Sequence, residues 1–247
     1  LVGSEMCIET AAEQRRCFTR VLQGHIAIDQ LIFPVNVTGY VIDALARAPG
    51  WRDHLEYRHG TGHGVGHYLN VHEPPMGIGT RAVFNETGLQ AGMVLSNEPG
   101  YYLDGHWGIR IENLVIVRPH TLPDGVSEPP TSKGFLRFEH ITLCPIQTRL
   151  IDTDLLSPSE IAWVNAYHDE VLAKLRPRLE KDVRALRWLK ESVRTFSDVE
   201  GEFPQGWWIW GRSYSILRRS TVLQRLVLLR QRRENRDSRA GVPDKLV

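Results

Sequence analysis

The sequence predicts an α+β domain in which helices flank an antiparallel sheet. Apolar residues recur at helical spacing near the start of the chain and again in residues 157–194. Between them lie three β-type runs, Met93–Asn97, Gly108–Val117 and Phe138–Pro145. An Asp-Gly pair at residues 104–105 separates the first two runs and is typical of a hairpin turn, so these two runs are predicted to pair antiparallel.

Two helices are predicted before the sheet. The first runs from about residue 11 to about residue 30, where the apolar residues share one helical face: Phe18, Val21, Leu22 and Ile26. The second covers Tyr40–Ala48 and is expected to end at the turn signal Pro49-Gly50.

Two further helices are predicted after the sheet. Ser157, Pro158 and Glu160 supply an N-cap, a first-turn proline and the partner of a capping box, so a helix begins there and is expected to end at Pro177. A second amphipathic helix extends to about Arg194. The pair could form a homodimer contact or cap the sheet, and the sequence leaves both open.

Composition limits the class of protein. The chain has 247 residues, 42% of them apolar and 24% charged, with a formal net charge of +1. These values are those of an ordinary globular protein and give no whole-chain argument for nucleic acid or membrane binding. The three cysteines are widely spaced and contain no CxxC pair, which indicates neither a disulfide framework nor a thiolate zinc site. A reducing compartment, and so a cytoplasmic location, is expected.

The segment from Arg58 to Glu73 is the chemically distinctive one, and it reads RHGTGHGVGHYLNVHE. Histidine titrates near neutral pH and is the commonest metal ligand, while glycine lets the backbone approach a site closely. The stretch therefore predicts a catalytic or metal site. Its candidate residues are His59, His63 and His72.

Two glutamates on the predicted hairpin complete this candidate site. Glu98 follows one arm and Glu112 lies in the other, where Arg110 is two residues away and so is expected on the same face of that strand. Arg110 could then orient a carboxylate. Imidazole and carboxylate ligands suit Mn, Co, Zn or Fe(II), and bridging carboxylates favour a two-metal hydrolytic centre that activates a hydroxide as nucleophile.

The motifs HGTGHGVG, NVHE, NEPGYY and GIRIEN resemble the catalytic motifs of the Xaa-Pro aminopeptidases (aminopeptidase P). These enzymes belong to the pita-bread metallopeptidases of family M24, with prolidase, creatinase and methionine aminopeptidase. The resemblance runs from about Cys17 to about Phe196 and includes the helical extension of the eukaryotic cytosolic type. It implies a pita-bread fold with a curved antiparallel sheet.

The resemblance also implies residue roles. His63 and Glu98 would ligate one metal and Glu112 would bridge two, while His59 and His72 would line the substrate site. Glu98 is in addition a candidate proton shuttle, and Arg110 is placed among the catalytic residues. The family reaction releases an N-terminal residue from peptides with proline at the second position, usually with two Mn²⁺ ions and a metal-bound hydroxide.

The sequence departs from the family pattern upstream of this site. The family has two more aspartate ligands, eleven residues apart on an earlier hairpin, but this sequence has no aspartate before Asp29. Glu5, Glu9 and Glu13 have the spacing of a solvated helix face. We therefore expect mainly the second half of the pita-bread fold, with an exposed sheet edge. At most one weakly held metal and little activity of this chain alone are expected.

The expected organisation has four parts. Residues 1–16 are divergent, 17–150 form the partial catalytic domain, 151–198 the helical extension, and 199–247 a Trp- and Arg-rich tail. The tail could contact an anionic membrane or RNA, or could be foreign to the domain's fold. The alternative to the peptidase is a pita-bread module that binds peptides or proteins without turnover.

Overall fold

A computed structural model describes residues 12–66, 70–82, 86–127, 129 and 133–196. The chain divides into two units, Leu1–Phe196 and Ser197–Val247, and all of these residues belong to the first. The predicted tail at residues 199–247 and most of the predicted N-terminal segment lie outside the described residues. The domain boundaries inferred from the sequence stay predictions.

The described elements alternate between helices and short strands. In chain order they are α1 (Ala12–Asp29), β1 (Ile32–Pro34), α2 (Gly39–Trp51), β2 (Gly62–His63), β3 (Gly77–Ile78), β4 (Val94–Asn97), β5 (Gly100–Leu103), β6 (Trp107–Arg110), β7 (Asn113–His120), β8 (Phe135–His140), two 3-10 turns at Thr148–Leu150 and Thr153–Leu155, α3 (Pro158–Leu179) and α4 (Val183–Ser192).

The main sheet is antiparallel with the strand order β1-β8-β7-β4. Strands β2 and β3 form one separate two-stranded pair, and β5 and β6 form another. Beside β4, Val65 donates its N–H to the Val94 carbonyl at 2.9 Å, and Gly64 forms a bridge with Leu95. The edge of the sheet at β4 is therefore partly covered. At the opposite edge strand, β1, the Ile32 side chain is exposed.

The predicted hairpin is confirmed in its antiparallel pairing and in its turn, but its two arms are interrupted. The Gly108–Val117 run is not one strand, because β6 ends at Arg110 and β7 begins at Asn113. Strand β4 pairs with β7, and β5 pairs with β6 in the same register nearer the Asp-Gly turn. Pro99 has no N–H to continue the ladder of β4, so the chain leaves the main sheet there and returns only at β7.

Helix α1 packs between the sheet and the C-terminal helices. Its residues Val21, Leu22 and Ile26 belong to a core cluster with Trp163 and Tyr167 of α3. A second cluster joins the helices to the main sheet through Ile28, Phe33, Ile42, Leu95, Val115, Val117, Leu136 and Phe138. The two clusters explain the predicted apolar faces of α1 and α3.

Gly24 in the middle of α1 marks the crossing of α1 and α2. A Cβ atom at this position would lie 2.2 Å from the carbonyl oxygen of Ala46, which real side chains do not tolerate. The glycine weakens the helix locally but lets the two backbones touch.

The bounds of helix α2 and strand β8 also differ from the sequence predictions. Helix α2 continues through Pro49 to Trp51, because Leu45, whose carbonyl loses its usual donor, lies on the exposed face. Strand β8 covers Phe135–His140 rather than Phe138–Pro145. Beyond it, the Tyr167 hydroxyl hydrogen-bonds the carbonyl oxygens of residues 142 and 144 at 3.2 and 2.8 Å.

Helix α3 confirms the predicted start and extends past the predicted end. Both hydrogen bonds of the Ser157–Glu160 capping box are present, and the helix includes Pro177 and ends at Leu179. Among the described residues, no helix combines the length and the apolar character that a membrane span requires.

Candidate metal centre

Three potential ligand side chains converge at one end of the main sheet. His63 ends β2, Glu98 follows β4, and Glu112 lies between β6 and β7. One ligand atom from each can be chosen so that all three lie within 4.8 Å of one another. Among the described residues this is the one group of three or more such side chains with this geometry.

The strand register places the two glutamates. Asn97 of β4 pairs with Asn113 of β7, so the next position along this antiparallel register sets Glu98 opposite Glu112. Residues opposite each other in such a pair lie about 5 Å apart, which is close enough for two carboxylates to share one ion.

A close backbone crossing brings His63 to the glutamates. A Cβ atom on Gly62 would lie 2.0 Å from the Ser96 carbonyl oxygen, so β2 can cross β4 here only with glycine. The His63 N–H then donates to the Ser96 hydroxyl at 2.9 Å, and that hydroxyl donates to Glu98 Oε1 at 2.8 Å. One buried serine therefore fixes two of the three candidate ligands.

The hydrogen bonds of His63 select its tautomer. Its Nδ1 lies 2.9 Å from the Gly64 carbonyl oxygen, which can only accept, so Nδ1 carries the proton. The Nε2 lone pair is left free and lies 3.3 Å from Glu98 Oε1. A backbone carbonyl that holds one ring nitrogen and leaves the other for a metal is the usual arrangement of a ligating histidine. This donor set fits a divalent ion.

Arg110 reaches the site by a route that the sequence prediction did not contain. The prediction placed Arg110 and Glu112 on one face of a single strand, but the strand ends at Arg110. Instead, the β5–β6 hairpin brings Arg110 Nη1 to 3.4 Å from Glu98 Oε2. Burial lowers the pKa of Arg110, but a hydrogen bond to Tyr102 and the charges of Glu98 and Glu112 outweigh it and raise that pKa.

The Tyr102 hydroxyl connects Arg110 to His59. Arg110 Nε donates to it at 2.8 Å, and it lies 2.9 Å from His59 Nε2. Because His59 Nδ1 lies 2.7 Å from the Gly60 carbonyl oxygen, that nitrogen carries the proton and Nε2 accepts from the tyrosine. The sequence analysis quoted Tyr102 within the NEPGYY motif but did not single it out as a site residue.

His72 lies on the open side of the same site. Its ring is 4.3 Å from the ring of His63, edge to face, and it is exposed. The structure therefore brings together all six residues that the sequence analysis named: His59, His63, His72, Glu98, Arg110 and Glu112. It adds Tyr102 and Ser96 as their hydrogen-bond partners.

Comparison with protein families assigns the chain to a known group. The model of metallopeptidase family M24 matches residues 2–119, and the model of the C-terminal region of peptidase M24 matches residues 134–196. The chain belongs to metallopeptidase family M24. Together the two matches cover most of the chain and leave residue 1, residues 120–133 and the end beyond residue 196 unmatched.

Individual relatives agree with this assignment. The chain is 61% identical over 181 residues to a probable Xaa-Pro aminopeptidase P of Coprinopsis cinerea, and 56% identical over 178 residues to one of Laccaria bicolor. These alignments cover 73% and 72% of this chain but 28% and 27% of the relatives. The chain thus spans less than a third of the length of either relative.

A solved structure supports the fold. The crystal structure of X-prolyl aminopeptidase from Caenorhabditis elegans, described as a cytosolic enzyme with a di-nuclear active site, matches with a TM-score of 0.68 and 40% identity. The match covers 75% of this chain and 29% of that one. The predicted pita-bread fold and the predicted family are confirmed, and the family implies a centre for divalent metal.

Proposed function

We propose that this chain carries part of the active site of a metalloaminopeptidase that releases the N-terminal residue of peptides with proline at the second position. The observation that carries the proposal is the convergence of His63, Glu98 and Glu112 within 4.8 Å. Support comes from the relatives named Xaa-Pro aminopeptidase P.

The three converging residues would hold the metal. His63 offers Nε2, while Glu98 and Glu112 offer carboxylate oxygens from facing positions of the two neighbouring strands. Such a nitrogen and oxygen set accepts Mn²⁺, which we propose as the ion. A divalent ion held there supplies activation of water and polarisation of a carbonyl.

The remaining side chains would act on the substrate and on protons. Glu98 is buried, accepts a hydrogen bond from the Ser96 hydroxyl and forms an ion pair with Arg110. Its carboxylate is therefore held in one orientation, in which it would take up and return a proton. His59 and His72 lie around the ligands on the accessible side and would contact the peptide.

Proline at the second position gives a reason for a specialised site. The bond that precedes proline is a tertiary amide without an N–H, and the proline ring fixes φ near −65°. Sites that bind ordinary extended peptides through that N–H fit such a substrate poorly.

A cytoplasmic location is proposed by analogy with the cytosolic Caenorhabditis elegans enzyme. A homodimer and a membrane or RNA contact of the tail stay predictions.

Metal content of the pure chain tests the first half of the proposal. After incubation with Mn²⁺ and desalting, we expect mass spectrometry to find metal bound to the wild-type chain. His63→Ala and Glu112→Gln should lose it, because each removes one of the three ligands. His106→Ala is the matched control, since His106 is exposed at the turn between β5 and β6. Equal metal in all four proteins would refute this site.

Peptide turnover tests the second half. The Mn²⁺-loaded chain is given two peptides that differ only in proline or alanine at the second position. Release of the first residue from the proline peptide alone supports the proposal. Equal release from both contradicts the proposed specificity. Metal binding with release from neither is the result expected of this chain alone, because the family's two upstream aspartate ligands are absent, and the alternative, a module that binds peptides without turnover, shares that result.

A further inference from the structure

A buried ion pair lies behind the histidine-rich loop and outside the candidate ligand set. Arg47 and Asp43, one turn apart on α2, each expose 3% of their side chains. Arg47 Nε donates to Asp43 Oδ2 at 2.6 Å and Nη2 lies 3.3 Å from Oδ1. Both charges are thus removed from water and fixed against each other.

The other edges of the guanidinium face the loop that carries His59. Nη1 donates to the carbonyl of Tyr57 at 2.8 Å, and Nη2 donates to the carbonyl of His59 at 2.7 Å. Nη1 also donates to Glu56 Oε1 at 2.6 Å. The guanidinium carbon lies 4.0 Å from the centre of the Tyr57 ring. Arg47 therefore binds two backbone carbonyls of this loop, those of Tyr57 and His59.

Asp43 binds the same loop at Thr61, two residues after His59. Its Oδ1 accepts from the Thr61 hydroxyl at 2.6 Å, and because that proton is used, the Tyr57 hydroxyl donates to Thr61 at 2.6 Å. Thr61 is fully buried. We call the group Asp43, Arg47, Tyr57 and Thr61 the loop clamp.

The loop clamp connects directly to the candidate centre. The Thr61 carbonyl accepts from the backbone N–H of Glu98 at 2.7 Å, and His63 follows two residues later. The carbonyl that Arg47 holds belongs to His59, whose ring meets Tyr102. A displacement of the loop would move His59 relative to Glu98.

We infer that Arg47 and Asp43 are positioning residues, which set His59 and Glu98 in the orientation that the site requires. The inference rests on the proposed function. A purely stabilising role would not need this ion pair, because buried ion pairs are often replaced by apolar residues without loss of stability. The geometry requires an arginine, whose planar fork of five donors reaches two carboxylates and two carbonyls at once, which an ammonium group does not.

Three clamp variants and one control test the inference on the full chain. Arg47→Lys keeps the charge but loses the fork, Thr61→Val keeps the shape but loses the hydroxyl, and the double variant of Arg47→Met with Asp43→Leu removes both charges together. The control is Arg118→Met, because Arg118 of β7 pairs with Glu139 of β8 at 2.6 Å, outside the loop that carries His59. Urea unfolding shows which variants stay folded.

Two readouts report on positioning. The first is the His59 imidazole tautomer, observed by long-range proton–nitrogen NMR and assigned with His59→Gln. The second is the affinity for Co²⁺, measured by its visible absorption. In folded clamp variants we expect mixed tautomers of His59 and Co²⁺ binding weaker by about tenfold or more, the usual effect of altering the residues behind metal ligands. The control should match wild type in both.

The outcomes separate this inference from the proposed function. A wild-type His59 tautomer and wild-type Co²⁺ affinity in the folded clamp variants would overturn the inference and leave the metal centre standing. If wild type itself binds no Co²⁺, the proposed metal centre fails, and the His59 tautomer alone decides whether the loop clamp positions the loop. A mixed tautomer in the clamp variants, with the control unchanged, supports the inference in either case.

Discussion

Ser96→Ala is the substitution for which the structure gives the sharpest expectation. The Ser96 hydroxyl is fully buried, accepts from the His63 N–H and donates to the Glu98 carboxylate. Alanine has the same shape without the oxygen, so the change removes both hydrogen bonds and leaves little cavity. Two of the three candidate ligands lose a partner at the same time.

The magnitude follows from the two bonds. A hydrogen bond to a charged group contributes about 1.5–3 kcal/mol, a neutral one about 0.5–1.5 kcal/mol, and a buried N–H left without an acceptor adds to the loss. We therefore expect the free energy of unfolding to fall by about 2–4 kcal/mol. Co²⁺ affinity should fall by about 10–100-fold, because partners behind metal ligands typically have that effect.

The assay compares urea unfolding and Co²⁺ titration for the wild type, Ser96→Ala and a control. Ser157→Ala is the matched control: the same chemical change removes the N-cap of α3, far along the chain from the ligands, and should cost about 1 kcal/mol of stability without changing Co²⁺ affinity. If Ser96→Ala binds Co²⁺ as tightly as the wild type, the idea that this hydroxyl orients the ligands is refuted.

Three further predictions concern His140 at the end of β8, Tyr102 beside the candidate site, and Gly24 at the crossing of α1 and α2. The pKa of His140 is raised, chiefly by its hydrogen bond to Asp29 and then by the charges of Asp29 and Glu170, which together outweigh burial. The stabilisation that His140 gives is therefore complete below its ordinary pKa of 6.5 and is lost as pH rises through the folded value. Urea unfolding between about pH 6 and about pH 9 should therefore show stability that falls more steeply in the wild type than in His140→Gln; parallel curves would contradict this. Tyr102→Phe removes the hydroxyl that joins Arg110 to His59. It should weaken binding of an Xaa-Pro peptide in isothermal titration while changing the free energy of unfolding by less than about 0.5 kcal/mol. Unchanged peptide affinity would contradict the idea that this hydroxyl orients His59 toward the peptide. Gly24→Ala should destabilise the chain by about 1–3 kcal/mol in thermal unfolding, whereas a gain would mean that the crossing of α1 and α2 is looser than described.

The candidate site was largely predictable from the sequence because its residues stand in long, specific motifs. His63, Glu98 and Glu112 were identified from residue type and setting, and the structure brings them within 4.8 Å. The turn and the pairing of the hairpin were predicted as well, but the interruption of its two arms was not. An Asp-Gly turn indicates that two strands meet, but it does not say where the ladder between them breaks.

The supporting residues were missed for a related reason. Arg47 and Asp43 look like an ordinary pair of opposite charges one helical turn apart, which is usually a solvated surface pair. Only their burial and the position of the loop carbonyls distinguish them. Ser96 likewise has no signal in the sequence beyond its place in a strand.

By itself, the sequence determined the family, the helix starts and the chemical character of the site. Caps, apolar periodicity and motifs depend on neighbouring residues and so can be recognised along the chain. The tertiary structure alone decided where the hairpin is interrupted, which hydroxyl holds His63 and Glu98, and which ion pair holds the loop of His59. Those contacts join residues far apart in sequence, and their energies depend on burial and distance, which exist only once the chain is folded.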